Sequence, residues 1–101
     1  MKINNMMKQA QKMQAQMMQV QEKLAEERVE GSAGGGMVKA VFTGQGDLIE
    51  IKIDPEVIRP EDREMLEDLL TVAVNDGIQK SRDLAGARMG SITGALGALG
   101  F

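Results

Sequence analysis

The stretch Met37–Asp54, MVKAVFTGQGDLIEIKID, is the only part of this 101-residue chain in which apolar residues alternate with a period of two. The alternation predicts a β-hairpin, because successive side chains of a strand point to opposite faces of the sheet. Gly44 and Gly46 lie between the two apolar runs and are typical of a hairpin turn. The residues predicted to share one face of each strand are Val38, Ala40 and Phe42, and then Ile49, Ile51 and Ile53.

A helix is predicted before the hairpin, from about Asn5 to Arg28, with Asn4 or Asn5 as its cap. Its apolar residues follow an unbroken three-four spacing that is typical of a helix-packing seam. The seam consists of Ile3, Met6, Ala10, Met13, Met17, Val20 and Leu24. Such a helix is roughly 35 Å long, too long for one small globule to cover. We therefore expect it to project as an arm whose seam is buried by a second helix of the chain or by the same helix of another subunit.

A second helix is predicted after the hairpin, because Pro60 and the acids that follow it are typical of a helix start. Its predicted packing face consists of Leu66, Leu69, Leu70, Ala73, Val74, Gly77, Ile78 and Ser81. We expect this face to cover Ile49, Ile51 and Ile53. Gly77 interrupts a good helix pattern, which indicates a close approach by another backbone. The glycines of Gly86–Phe101 favour an extended or mobile end.

Together these segments predict an α+β fold in one domain spanning residues 1–101. Residues 1–28 are the helical arm, 29–54 the sheet, 55–89 the second helical region and 90–101 the glycine-rich tail. The sheet is either the hairpin alone or three strands, because Val29–Gly36 can begin as a short edge strand. One helix or more follows the sheet.

The missing residue types argue against an enzyme. The chain has no His, Cys, Tyr or Trp, which supply most general bases, nucleophiles and transition-metal ligands. Glycine spacings in Gly31–Gly36 and Gly44–Gly46 begin two nucleotide-binding motifs, and neither continues with the residues that the motif needs. We therefore predict no cofactor, no metal and no small-molecule substrate. With no cysteine, no leader and no long apolar run, the chain is expected to be cytoplasmic and not membrane-bound.

The net charge of −3 hides a separation of charge along the chain. Residues 1–21 contain Lys2, Lys8 and Lys12 and no acid, whereas 54–68 contain seven acids and two arginines. Lys8 and Lys12 are four residues apart, on the side of the first helix away from the seam. A basic, acid-free helix face is suited to phosphate groups, and the acidic region is not.

Several blocks of the chain resemble, in order, the YbaB/EbfC family of nucleoid-associated proteins. They are MMKQAQKMQAQM in the first helix, Glu30–Ala40, Thr43–Gly46, Ile51–Pro55, and Leu66–Leu70 with Ala73–Asp76. The resemblance implies a tweezers-like homodimer with a joint sheet, whose projecting helices bind double-stranded DNA in chromosome organisation and gene regulation. The residues that it nominates for DNA contact are Lys2, Lys8, Lys12, Lys23, Lys80, Arg82 and Arg88.

A different function remains open from the residues alone. Methionine is flexible and adaptable, and methionine-rich helices suit variable protein contacts. The alternative is therefore a protein-interaction module in which the methionine-rich arm binds a protein partner.

Overall fold

The computed structural model describes the backbone of residues 2–98 and the side chains of residues 2–90. Its helices and strands are α1 (Lys2–Glu26), β1 (Arg28–Ala33), β2 (Val38–Thr43), β3 (Leu48–Ile53) and α2 (Arg63–Ala98). Short 3-10 turns lie at Gly34–Gly36, Pro55–Val57 and Pro60–Asp62. The predicted α+β class is confirmed, and the sheet has three strands.

The three strands form an antiparallel sheet in the order β1-β2-β3. The central strand β2 carries the core, with Val38, Ala40 and Phe42 all buried, as the alternation predicts. Across the sheet, Val38 pairs with Ile53 and Ala40 pairs with Ile51. An irregularity between Val41 and Phe42 shifts the register near the turn.

Helix α2 packs over β1 and β2 through the predicted face, every residue of which is buried or half-buried. The crossing is tightest where Gly31 of β1 meets Gly77. A Cβ at Gly31 would lie 2.1 Å from the carbonyl oxygen of Ala73, and one at Gly77 would lie 2.3 Å from the Phe42 ring. The predicted close backbone approach at Gly77 is therefore confirmed.

The expectation that this helix covers the isoleucines of β3 is wrong for two of the three. Ile53 packs against the core, but Ile49 and Ile51 are 49% and 42% exposed. The reason is the position of α2, which the glycine contact draws over β1 and β2 and away from β3. A groove of about 360 Å³ remains between α2 and Ile51.

The two edges of the sheet differ in what covers them. On β1, the Ser32 backbone N–H donates to Asp76 at 3.0 Å, and Lys80 donates to the Glu30 carbonyl at 3.1 Å. These bonds occupy backbone groups of β1 that would otherwise be open. No strand within residues 2–98 pairs with the outer edge of β3.

Helix α1 is attached to the sheet at the β2–β3 turn. The Gly44 N–H donates to the carbonyls of Leu24 at 2.8 Å and Glu27 at 3.1 Å, which satisfies acceptors at the helix end. From the other side, the buried Ser81 hydroxyl donates to the carbonyls of Thr43 and Gly44. The turn is thus fixed between α1 and α2.

From this attachment α1 projects as an arm, as expected from its length. The described fold measures 72 × 20 × 15 Å, and its radius of gyration of 19.6 Å exceeds the roughly 13 Å of a compact domain of this size. Leu24 is buried and Val20 and Met13 are half-buried, whereas Ile3 and Met6 are 74% and 66% exposed. Contacts within the chain therefore cover the seam only at its end nearest the sheet.

Three predicted boundaries are corrected. The first helix begins at Lys2, which puts Asn4 and Asn5 inside it, and ends at Glu26. The tail is not extended up to Ala98, because α2 continues to that residue. Ala, Leu, Arg and Met are good helix formers, no proline interrupts them, and their summed preference outweighs the glycines. Leu99–Phe101 lie outside the described residues.

Candidate nucleic-acid interface

One side of α1 carries a basic stripe, which we call the lysine face. At 100° per residue, Lys8, Lys12 and Lys23 fall within an arc of about 60°. All three side chains are exposed, and none forms an ion pair within the described part of the chain. Their ammonium groups are therefore free to approach a polyanion.

Amide side chains fill the intervals between these lysines. Asn5 and Gln19 lie within the same arc, and Gln16 lies about 20° beyond its edge. With these amides the face consists of residues 5, 8, 12, 16, 19 and 23 and extends for about 27 Å. Side-chain amides donate hydrogen bonds to phosphates and pair with base edges. The sequence analysis did not single out these amides as part of the face, although their three-four spacing was the signal that could have found them.

The fourth predicted residue of this helix, Lys2, lies at its exposed tip. Its direction around the helix is roughly 90° from the lysine face, between that face and the seam. It lies in the first turn of α1, where partial positive charge of the backbone adds to its own charge.

The predicted basic residues of α2 are not equivalent. The Lys80 ammonium lies 3.1 Å from the Asp76 carboxylate and donates to β1. The Ser32 N–H, and then Lys80, hold the pKa of Asp76 below its usual value. Arg82 is exposed and forms no ion pair among the described side chains.

Arg88 lies at the base of the arm and pairs with Glu27, which follows the last residue of α1. This partner raises the pKa of Arg88, first through the hydrogen bond and then through its charge. The second carboxylate oxygen of Glu27 is buried and accepts no hydrogen bond from the described residues. Arg28, which the sequence did not single out, donates to the Ala25 and Glu27 carbonyls and caps the same helix end.

The seven predicted residues therefore do not form a single patch. Three align on the lysine face, Lys2 is at the tip, and the α2 residues lie at the sheet or at the base of the arm. The acidic segment 54–68 lies at the opposite end of the sheet, since Gly34 contacts Leu69 there while Thr43 contacts Ser81 at the end from which the arm projects. The acids of this segment are therefore remote from residues 2–21 of the arm, which themselves contain no acid.

Two other kinds of site are absent from the described region. No group of three or more potential metal-ligating side chains is close enough to hold an ion there. Neither of its helices is apolar enough over a sufficient length to cross a bilayer.

Comparison with known proteins gives a consistent result. A family model described as the YbaB/EbfC DNA-binding family matches residues 1–96. A nucleoid-associated protein of Acetivibrio thermocellus is 53% identical, over 96% of this chain and 86% of that protein. Another, from Desulfotalea psychrophila, is 45% identical over 95% of this chain and 91% of its own length.

A solved structure resembles the whole fold. It is the crystal structure of an uncharacterized protein of Helicobacter pylori, with a TM-score of 0.74 and 27% sequence identity. The match covers 99% of both chains. The arm and the sheet thus recur together in a relative of low sequence identity.

Proposed function

The chain belongs to the YbaB/EbfC DNA-binding family, and from this premise we propose that it is a nucleoid-associated protein that binds double-stranded DNA as a homodimer. The observation that carries the proposal is the lysine face of α1, which is exposed and free of ion pairs within the described residues. Its lysines contact phosphates, and counterion release then drives binding. The relatives' names support the nucleoid as its location. Its proposed roles there, in the cytoplasm, are chromosome organisation and gene regulation.

The lysine face has the dimensions of a duplex contact. A helix of this diameter fits the major groove, and about 27 Å of it spans several base pairs. Lysines and amides contact the backbone in this arrangement without requiring a particular sequence. Lys2 and Arg82 extend the contact, while Lys80 and Arg88 contribute less because each already has an acidic partner.

The outer edge of β3 is the proposed dimer contact. Its backbone is unpaired within residues 2–98, whereas α2 side chains bond to the β1 edge. Leu48, Ile49 and Ile51 are exposed beside that edge. Two copies of β3 related by a twofold axis would join the sheets and cover these side chains, leaving two arms free. Two arms on one duplex then add avidity without new residues.

Fluorescence anisotropy with a labelled duplex at several salt concentrations tests the DNA contact. The variant Lys8→Glu/Lys12→Glu reverses two charges of the lysine face, and Arg59→Glu/Arg63→Glu makes the same charge change in the acidic region. We expect wild-type affinity to fall steeply with salt, and the arm variant to bind at least tenfold more weakly. The control variant should bind within a few-fold of wild type.

Equal losses in both variants would mean that only net charge matters, and the lysine face would no longer be the site. Unchanged affinity in the arm variant would move the site to other residues. A wild-type protein that binds no duplex at low salt would contradict the proposal itself.

The exposed methionines favour a second candidate function, in which α1 binds a different protein. It predicts no retention on DNA at low salt and co-purification of one stoichiometric protein. Binding to duplex DNA that the lysine-face variant abolishes would exclude it as the main function.

A further inference from the structure

The connection between the arm and the sheet is a single residue. Helix α1 ends at Glu26 and β1 begins at Arg28, so Glu27 alone joins them. A residue has only two freely rotating backbone dihedrals, and the direction in which the arm leaves the sheet therefore depends on the conformation of Glu27. The groups that hold this residue also hold the arm.

Apolar packing does not by itself set the direction of the arm. Among the described residues of α1, Leu24 alone is buried. Apolar attraction is non-directional, so this leucine keeps the end of the arm at the sheet without fixing its angle. Beside the arm, between α1 and Gln45 of the β2–β3 turn, a groove of about 500 Å³ remains open. The angle must therefore come from directional contacts.

The β2–β3 turn supplies the first of these contacts. The Gly44 N–H donates to the carbonyls of Leu24 and Glu27, at 2.8 and 3.1 Å. The Gln45 amide donates to the Gln21 carbonyl at 2.8 Å. Hydrogen bonds weaken steeply when they are bent, so these three fix one side of the arm base relative to the turn.

Helix α2 supplies the contact on the side chain of Glu27. The Arg88 guanidinium donates to one oxygen of the Glu27 carboxylate, 61 positions away in the chain. The other oxygen is buried and accepts no hydrogen bond from the described residues, among which Arg88 is the one partner of this carboxylate. Removing one member of a partly buried ion pair leaves the other charge uncompensated. Without Arg88 the carboxylate would therefore turn toward water and move the connecting residue with it.

We propose that the ion pair between Arg88 and Glu27 is a latch that sets the direction of the arm, so that both are positioning residues for DNA binding and not DNA contacts. Its consequence rests on the proposed function. Both arms of a dimer must meet one duplex, and arms that are already ordered avoid the ordering cost of binding. An arm released from the latch keeps its lysines and binds more weakly.

Two neutralising substitutions separate this role from an effect of charge. Arg88→Gln removes a positive charge and Glu27→Gln a negative one, so attraction to phosphate alone predicts weaker binding for the first and tighter binding for the second. Loss of the latch predicts weaker binding for both. On a duplex long enough for both arms, we expect each to bind about threefold to tenfold more weakly. Their salt dependence should match that of wild type, because the same lysines contact phosphate in the complex.

Distances between electron spin labels measure the direction of the arm. The chain has no cysteine of its own, so Gln9→Cys on the arm and Asp68→Cys on α2, both at exposed positions, place one pair of labels in each subunit. Dilution with unlabelled protein leaves only distances within a subunit. We expect a narrow distribution with the latch intact and a broader one for Arg88→Gln and for Glu27→Gln.

Two further variants serve as controls. Arg88→Lys keeps a positive charge for Glu27, and since the ion pair uses one guanidinium nitrogen, it should keep the narrow distribution and bind DNA within about twofold of wild type. Arg63→Gln removes an arginine that pairs with Glu67 inside α2 and joins no two elements. It should change neither the distribution nor the affinity.

Unbroadened distributions in Arg88→Gln and Glu27→Gln would overturn the proposal, and so would tighter DNA binding by Glu27→Gln. A hairpin duplex of about eight base pairs has the length of one lysine face and engages one arm, which needs no fixed direction. Arg88→Gln should bind it within about twofold of wild type. A loss there as large as on the long duplex would make Arg88 a DNA contact and would also overturn the latch.

A wild type that binds no duplex would end the proposed function, while the spin-label distances would still decide whether the ion pair sets the arm. The two proposals therefore fail through different measurements.

Discussion

Individual basic residues of this chain differ in whether the fold already neutralises them. Lys80 and Arg88 are each held by a carboxylate, whereas Lys8 and Lys12 face solvent without one among the described residues. Sequence identifies all four as basic residues on helices. The i,i+4 spacing of Asp76 and Lys80 on α2 is a signal for the first pair, whereas Arg88 and Glu27 meet only when α2 reaches the base of the arm. A held cation must first break its ion pair to contact phosphate, so under the proposed function we expect the free lysines to carry more of the binding.

The salt dependence of DNA binding measures this difference. Lys12→Gln should reduce the slope of log K against log salt by about 1 for each bound arm, since one phosphate contact is lost. Arg88→Gln should leave the slope within experimental error, because Glu27 already neutralises that guanidinium. The measurement is anisotropy at five or more salt concentrations. A slope change at Arg88 as large as at Lys12 would show that Arg88 leaves Glu27 for DNA.

Asp76 makes the stability of the fold dependent on pH. Its pKa is lowered by the Ser32 N–H and by Lys80, so the ionised carboxylate is favoured in the folded state. Its contribution is fully present above the ordinary pKa of an aspartate, about 4, and is lost as pH falls through the lowered value. Asp76→Asn should therefore unfold more easily than wild type in urea at pH 7, and the difference should shrink as pH falls toward 3.

Lys80→Gln provides the comparison for that measurement. It removes one of the two groups that lower the Asp76 pKa and leaves the Ser32 N–H in place. Its stability should depend on pH less than that of wild type and more than that of Asp76→Asn. A difference between Asp76→Asn and wild type that stays constant from pH 7 to pH 3 would contradict the role of this carboxylate.

At the scale of the elements, the contact between β1 and α2 depends on two glycines. Gly31→Ala adds a Cβ 2.1 Å from the Ala73 carbonyl oxygen, and both groups belong to backbone that cannot rotate away. We expect a loss of about 1–3 kcal/mol or more, measured by urea unfolding at fixed protein concentration. Gly86→Ala is the matched control, because a Cβ added at that position would meet nothing within 4 Å beyond the backbone of its own helix. It should be neutral or stabilise α2 by up to about 1 kcal/mol, since Ala is the better helix former.

The spacing of apolar residues predicted the helices and strands well, because burying one face of an element requires apolar residues at regular positions along that element. The alternation in β2 and the apolar face of α2 could be read directly, since every residue of both faces is buried or half-buried. Periodicity does not predict which strands of the sheet a helix covers. That choice depends on the contact between Gly31 and Gly77, 46 positions apart in the chain, and it leaves Ile49 and Ile51 exposed. The lysine face followed from helix spacing, while the groove at Gln45 required the turn and α1 to meet in space.

At the scale of the whole molecule, the basic arm, the open β3 edge and the acidic end of the sheet lie in separate places. An elongated shape of 72 Å keeps the acidic end of the sheet away from the basic arm, so the negative net charge is compatible with the proposed DNA contact at the arm. Screening over about 8–10 Å at physiological salt makes that distance sufficient. The open β3 edge lies between these two ends and is the remaining surface that a second copy can join.

The proposed dimer gives the last prediction, which concerns the assembly and not a single contact. Ile51→Glu introduces a charge beside the β3 edge, where pairing with a second β3 would bury it at high cost. We expect a monomer by sedimentation at micromolar concentration, and a duplex affinity at least tenfold weaker although every lysine of the arm is intact, because avidity is lost. Val72→Glu adds the same charge at an exposed position of α2 and should change neither property. A variant that stays dimeric with Ile51→Glu would move the subunit contact away from β3, and a monomer with full affinity would mean that one arm is sufficient for binding.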